Sequence, residues 1–344
     1  MADLYAHYLD IKKTHPRHYA RDIARLMQRS EAELLAIRTG HDARRLQLNP
    51  AALLAALETV GETLSITRNE YAVHEQRGCY QNLTLTPHGG LVLNPRALDQ
   101  RLFTSQWHCA FALDEEVPQG RRHSIQIFDP QGEAVLKIYT TAQSDKVAWQ
   151  ALVTRFAAHD NPALTLSPVP APVAAATDLT GLEQAWRAMT NVHQFFLLLK
   201  KYRTTRQQAF RAVPADLACR VENRALEEIL AAAYQQQNEI MIFVGNRGCV
   251  QIFTGVIESV RPQHGWLNVF NPAFTLHLQH QRIAESWVTR KPTADGMVTS
   301  LELFAEDGTQ IAQLYGQRTE GQPEQAIWRE QLARLPVCRS GEVA

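Results

Sequence analysis

Apolar and polar residues follow two periods along this chain, and each period occurs twice. The stretch "YARDIARLMQRSEAELLAI" (19–37) has apolar residues at three- and four-residue spacing, which predicts amphipathic helix. Inside it, "SEAE" sets Ser30 three residues ahead of Glu33, a capping box. "HQFFLLLKKYRTTRQQAFRAV" (193–213) repeats the helical period, and Thr205 with Gln208 repeats the box. Downstream the period drops to two: "SIQIF", "VLKIY", "EIMIFV", "VTSLELF" and "IAQLY" read as strands. The sets "PQG" and "EDG" between strands predict tight hairpins. An amphipathic helix around Trp149 closes the first series, and one around Trp328 closes the second.

The two series also match in detail. "HSIQIFDPQGEAVLKIYTT" (123–141) aligns without a gap on "TSLELFAEDGTQIAQLYGQ" (299–317), so that Phe128 meets Phe304, Gly132 meets Gly308 and Tyr139 meets Tyr315. Upstream, "NEYAVHEQRGC" (69–79) aligns on "NEIMIFVGNRGC" (238–249) with one inserted residue. An internal duplication with a period of about 175 residues accounts for both, far longer than any solenoid repeat. The stretch "LTLSPVPAPVAAATDLTG" (164–181) alternates proline with small residues and predicts an extended linker. The expected organisation is a first repeat at 1–163, the linker at 164–181 and a second repeat at 182–344. Helical and strand signals are segregated, which predicts an α+β fold. Each half has N-terminal helices, a large antiparallel sheet and a C-terminal helix.

Composition narrows the function. Apolar residues make up 45% of the chain, enough for a real core and against wholesale disorder. Lys+Arg and Asp+Glu both number 35, which argues against a general nucleic-acid-binding surface. Five scattered cysteines with no C-x-x-C pair fit neither a disulfide framework nor a zinc knuckle. No apolar run approaches the ~20 residues of a membrane span, and the start lacks a signal-peptide core. The expected setting is cytoplasmic. No G-x-G-x-x-G or G-x-x-x-x-G-K phosphate loop occurs.

One histidine raises a chemical question. In "WRAMTNVHQFFLLLKKY" (186–202), His193 follows Thr190 and Asn191, either of which can cap the next helix. His193 would then lie in the first turn with Phe196 and Leu197 on its face. A histidine among apolar residues is commonly a core or interface group bonded to a carbonyl; it is also a metal-capable ring. No second histidine stands at a spacing that closes a zinc site with it. His277 and His280 fall on a strand with opposite faces and read as surface groups. An iron porphyrin asks less of the protein, namely one axial ligand, apolar faces and cations for two propionates. Arg206, Thr289–Lys291 and Gln313–Arg318 are candidates for the last, although surface solvation explains such residues equally well.

Longer motifs decide between these readings. "AWRAMTNVHQFF", "NEIMIFVGNRGCVQIFTG", "ESWVTRKPTADG" and "LFAEDGTQIAQLYGQRTEGQPEQ" resemble the haemin-degrading, cytoplasmic haem-transport family of HemS-, ChuS- and HmuS-like proteins. "NEYAVHEQ" and "LNPRALDQRLF" extend the resemblance into the first half. It implies a duplicated fold with helices packed on central antiparallel sheets, and one haem (iron protoporphyrin IX) in a cleft of the second half. By the resemblance His193 is the axial iron ligand and Arg101, lent by the first half, overhangs the distal face; these two are the implied catalytic residues. Phe103 and Phe243 would line that side. Arg206, Lys291, Gln313, Tyr315 and Arg318 would surround the propionates or the porphyrin edge. Two departures stand out: Asn191 where the family has Asp, and Gln100 in "LDQRLF" where an apolar residue is usual. For a second haem, His18 falls opposite His193, and His74, near Phe243 in the repeat register, is the better candidate; both also read as solvated or structural histidines. The implied function is uptake of imported haem and its oxidative degradation with release of iron, using an external electron donor. An inner-membrane haem importer or a reductase would be a transient partner. The rival readings are a non-catalytic haem chaperone or store, and a duplicated ligand-binding or regulatory protein without metal.

Overall fold

The computed structural model describes residues 2–87, 89–118, 120–169, 179–319 and 321–338. The chain forms two compact units: one of Met1–Arg68, Glu75–Val169 and Gly245–Gln251, the other of Asn69–His74, Pro170–Val244 and Ile252–Ala344. Residues 170–178 of the proline-rich stretch lie outside the described residues, and 164–169 hold neither helix nor strand.

The first repeat runs through α1 (Ala2–Thr14), α2 (Ala20–Leu26), α3 (Glu31–Arg38), β1 (Ala43–Leu46) and α4 (Pro50–Leu57). Then come β2 (Glu62–Arg68), β3 (Ala72–Cys79), β4 (Leu83–Thr86), β5 (Gly89–Val92) and β6 (Asp99–Leu102). It ends with β7 (Cys109–Val117), β8 (Gly120–Phe128), β9 (Ala134–Thr140) and α5 (Lys146–Phe156). The second repeat has the same order: α6 (Leu182–Arg187), α7 (Gln194–Lys201), α8 (Arg206–Ala212), β10 (Ala218–Val221) and α9 (Ala225–Gln236). Next are β11 (Ile240–Gly245), β12 (Cys249–Gly255), β13 (Val260–Gln263), β14 (Trp266–Phe270) and β15 (Phe274–Leu278). Last are β16 (Glu285–Thr293), β17 (Gly296–Phe304), β18 (Gln310–Gly316) and α10 (Ala326–Ala333). This is the duplicated α+β architecture that the two periods predicted.

The local signals explain the boundaries. Ser30 and Thr205 cap α3 and α8, each with a complete capping box through Glu33 and Gln208. The hairpins β8–β9 and β17–β18 turn at Gly132 and Gly308, whose φ of 81° and 82° few side chains tolerate.

In unit 1 the strands run β1-β7-β8-β9-β2-β3, and β12 borders the run β6-β5-β4. Leu53, Leu57, Trp149 and Leu152 of α4 and α5 bury one sheet face against Ile125, Ile127 and Leu136. Ala32 and Leu35 of α3 cover Phe111 and Phe128 on the other. In unit 2 the strands run β10-β16-β17-β18-β11-β12, and β3 borders β15-β14-β13. Leu226, Ile229, Trp328 and Leu332 of α9 and α10 pack on Ile240, Ile242, Leu301 and Leu314. Trp186, Phe195 and Phe210 of α6–α8 cover the opposite face at Trp287 and Phe304. Each stripe of about 100° of helix surface thus finds a sheet face, which is what makes short helices stable here.

Each unit takes in one hairpin tip of the other repeat. In unit 1, Asn246 Nδ2 donates to the carbonyls of Arg68 (2.9 Å) and Val135 (3.0 Å). Gly248 O accepts from Trp107 Nε1 at 3.0 Å and from Phe103 N at 3.0 Å. In unit 2, Asn69 Nδ2 donates to the carbonyl of Ile311 at 2.9 Å, and Tyr71 Oη to Asp307 at 2.9 Å.

These tips correct the upstream alignment. Thr63 pairs with Thr140 and Ile240 with Gly316, residues matched in the gapless stretch, so β2 corresponds to β11 and β3 to β12. His74 therefore stands opposite Gln251, not near Phe243. The sequence match of 69–79 on 238–249 had slid one strand onto its hairpin neighbour, an easy slip because both alternate with period two.

Candidate functional site

His193 lies just ahead of α7, as its N-cap residue, one step before the first turn where the spacing had put it. Asn191 Oδ1 accepts the His193 N–H at 2.9 Å, while Gln194 Oε1 accepts the N–H groups of Thr190 (2.8 Å) and Asn191 (3.3 Å). Asn191 thus does the work that an aspartate would. The same helix start leaves His193 exposed, with Phe196 and Leu197 at 69% and 61% exposure, and drives Phe195 and Leu198 into the core. Two large apolar side chains in water beside an imidazole form a surface that none of the described residues of unit 2 covers.

Behind α7 the polar face of the unit 2 sheet gathers charge. Phe243, Gln313, Glu302 and Trp287 stand directly across from one another on β11, β18, β17 and β16; Met241, Tyr315, Ser300 and Thr289 form the next row. Alternation along β16 puts Lys291 on the same face as Thr289. Lys291, 1% exposed, donates from Nζ to Glu302 Oε1 at 2.8 Å and Thr289 Oγ1 at 2.5 Å. Arg206, the first residue of α8, reaches Glu302 Oε2 at 3.3 Å. Both cations lie over the ring of Phe195, at 5.1 Å for Arg206 and 5.0 Å for Lys291. From Glu302 a chain of hydrogen bonds leads outward: Gln310 donates to Glu302, Gln313 to Gln310, and Tyr315 to Gln313, at 2.8, 2.8 and 2.9 Å. Phe243 meets the Tyr315 ring edge-on at 5.1 Å. Arg318, just past β18, has a buried Nη1 with no hydrogen-bond partner among the described residues.

The electrostatics follow from this packing. Burial opposes charge on Glu302, but Arg206 and Lys291 outweigh it and hold the carboxyl below its usual range. For Lys291 burial dominates over attraction to Glu302 and, with repulsion from Arg206, pulls the ammonium down. Burial, then the Glu302 charge, push the Tyr315 phenol above its ordinary value.

The structure thus joins Arg206, Lys291, Gln313, Tyr315 and Phe243 in one cluster and puts His193 at the N-cap of the helix that floors it. Sequence reasoning missed Glu302, the group that ties the cluster together. Its only signal was a glutamate at an inward position of "VTSLELF".

In unit 1, Arg101 on β6 is ion-paired with Asp99 and also donates to the Gln100 carbonyl at 3.3 Å. Phe103, just beyond β6, is 43% exposed. Gln100, the departure in "LDQRLF", is turned inward. As the neighbour of Arg101 it points to the other strand face, where it is fully buried and donates to Gln251 at 2.7 Å. Its amide belongs to a core network, not to the hydrogen bonding around Arg101. His74 in unit 2 is also fully buried, 4.7 Å from the Phe274 ring, and burial pushes its pKa down to about 3. It shows no open face to a second ring. His18 is exposed, edge-on to His15 at 4.9 Å.

An exposed imidazole flanked by apolar side chains, with buried cations beneath, can hold a flat, anionic, metal-bearing ring. Among the described residues no helix is long and apolar enough to cross a membrane. The chain is 63% identical over 337 residues to the hemin transport protein HmuS of Yersinia pestis, covering 97% of each. Its fold matches the heme-degrading enzyme ChuS of Escherichia coli O157:H7 with a TM-score of 0.92 at 59% identity, over 96% of this chain and 98% of that one. It matches holo-PhuS, a heme-binding protein of Pseudomonas aeruginosa, with a TM-score of 0.94 at 42% identity, over 98% and 99%. The haemin-degrading HemS/ChuX domain is matched twice, at residues 28–156 and 203–335, and the chain belongs to that family.

Proposed function

We propose that this chain takes up haem in the cytoplasm and opens it oxidatively, releasing iron. The observation that carries the reading is in unit 2: an exposed His193 at a helix start, with Arg206 of α8, Lys291 of β16 and, just past β18, a buried Arg318 nitrogen that has no hydrogen-bond partner among the described residues. His193 would supply the nitrogen that holds the iron. Phe196, Leu197 and Phe243 supply apolar cover, and Arg206, Lys291, Arg318, Gln313 and Tyr315 meet the propionates or ring edge. Carboxylates leaving water lose several kcal/mol of solvation each unless cations meet them, so such a clamp raises affinity and fixes orientation. Bound haem would supply the redox-active iron and the ring carbon that is attacked. The protein binds, orients and excludes water. Arg101 is assigned the distal donor on its match to the family motif, since a guanidinium stays charged at neutral pH and donates in a fixed geometry. An external reductase or small reductant supplies electrons, and an inner-membrane importer is the transient source of haem.

A second reading has a specific basis, because relatives are described as a hemin transport protein and as a heme-binding protein. A carrier that passes haem on needs the same His193 and the same cations. Aerobic turnover of ferric haem with a reductant separates the two. Loss of the Soret band with a linear tetrapyrrole by mass spectrometry and free iron, unaffected by catalase, is the expected result. Stoichiometric transfer to an oxygenase without iron release would favour the carrier, and full suppression by catalase would contradict an enzyme.

A further inference from the structure

Glu302 contacts groups from four of the elements around the cation cluster. Arg206 of α8, Lys291 and Thr289 of β16, Ser300 of β17 and Gln310 of β18 all lie within 3.4 Å of its carboxylate. Tyr315 and Gln313 join it through Gln310, and Arg318 acts on Tyr315 through its charge. Two cations thus face one anion, leaving one positive charge uncompensated at the core of the cluster. A lysine buried as deeply as Lys291, beside a guanidinium, has a strong drive to give up its proton unless an anion touches it.

The first repeat shows that the sheet itself does not need this carboxylate. In the gapless alignment Glu302 corresponds to Gln126 and Gln313 to Lys137; the caps Ser30 and Thr205 equate Arg206 with Glu31. One residue beyond the aligned stretch, Arg122 and Val298 face Glu115 and Lys291, which equates that pair. The charges are therefore inverted. Glu31 pairs with Lys137, Glu115 is held by Arg38 at 2.7 Å and Arg122 at 3.0 Å, and Gln126 takes the buried central place, donating to Ser124 at 3.1 Å. The same strand thus folds with a neutral amide at that position.

We propose that Glu302 is a positioning residue, which keeps Lys291 charged and holds Lys291 and Arg206 fixed, so that the second repeat alone presents a cradle for a carboxylate-bearing ring. This rests on the reading of the Arg206–Lys291 face as the propionate side of a haem site. Binding is measured for ferric haem and for its dimethyl ester, which has the same ring and iron but no carboxylates. Any change in His193 or in the fold alters both ligands alike, so the haem-to-ester affinity ratio isolates the cradle. In the wild-type protein the ratio favours haem and stays flat from about pH 6 to about pH 9. In Glu302→Gln the ratio falls about tenfold over that range as Lys291 loses its proton. Glu302→Asp, which keeps the charge, restores the flat profile. Lys291→Met/Glu302→Gln replaces the ion pair by neutral groups of similar size and gives a low ratio at every pH. A wild-type protein that does not prefer haem over its ester would sink the cradle itself. A wild-type preference that Glu302→Gln retains at all pH values would overturn only the role of Glu302, and one that the double variant retains would overturn that of Lys291 as well.

Discussion

At the scale of single residues, burial separates the histidines that the sequence left alike. His193 stays in water at a helix start, whereas His74 sits in the core with its pKa down at about 3. Below the ordinary histidine value of 6.5 the unfolded chain takes up a proton at this position that the folded chain refuses. The contribution of His74 to stability is therefore full above that value and is lost as pH falls from there towards 3, by up to about 1.4 kcal/mol per unit. Urea unfolding at neutral pH and near pH 5 should show a larger loss for the wild type than for His74→Gln. Equal losses would mean that another group carries the acid sensitivity. Residue identity alone could not make this distinction, because what matters is the Phe274 ring and the sheet around it.

At the scale of elements, the local chemistry was legible wherever partners lie close in sequence. The boxes at Ser30 and Thr205 and the Gly132 and Gly308 turns all form as their spacing predicted. What escaped was set by register between distant strands. Glu302 meets Lys291 across β16–β17 and Gln310 across β17–β18, and Gln100 meets Gln251 from a remote segment. The slipped match that put His74 near Phe243 has the same origin, since period two alone does not tell a strand from its neighbour. Because Thr205 anchors the helix that begins with Arg206, Thr205→Ala should cost about 1 kcal/mol in chemical unfolding. The shape of the haem spectrum should survive, since Glu302 still holds the guanidinium. A change of axial ligation in that variant would show that the cap, and not the ion pair, positions the cluster.

For the molecule as a whole, duplication built two similar units, and substitution then made them chemically unequal. The second repeat has the exposed imidazole and the excess of cations; the first has Glu31, Glu115 and Lys137 at the matching positions. That asymmetry was present in the aligned sequences, but its meaning needed the strand pairing that brings those charges together. It predicts one haem per chain, held through one ring nitrogen. The most direct measurement is a titration of wild-type protein and His193→Ala with ferric haem, followed by Soret absorption and electron paramagnetic resonance. Saturation at one equivalent, with a histidine-ligated spectrum that His193→Ala loses while staying folded, is the predicted result. A His193→Ala protein that binds haem with the wild-type spectrum and affinity would contradict the account at its centre.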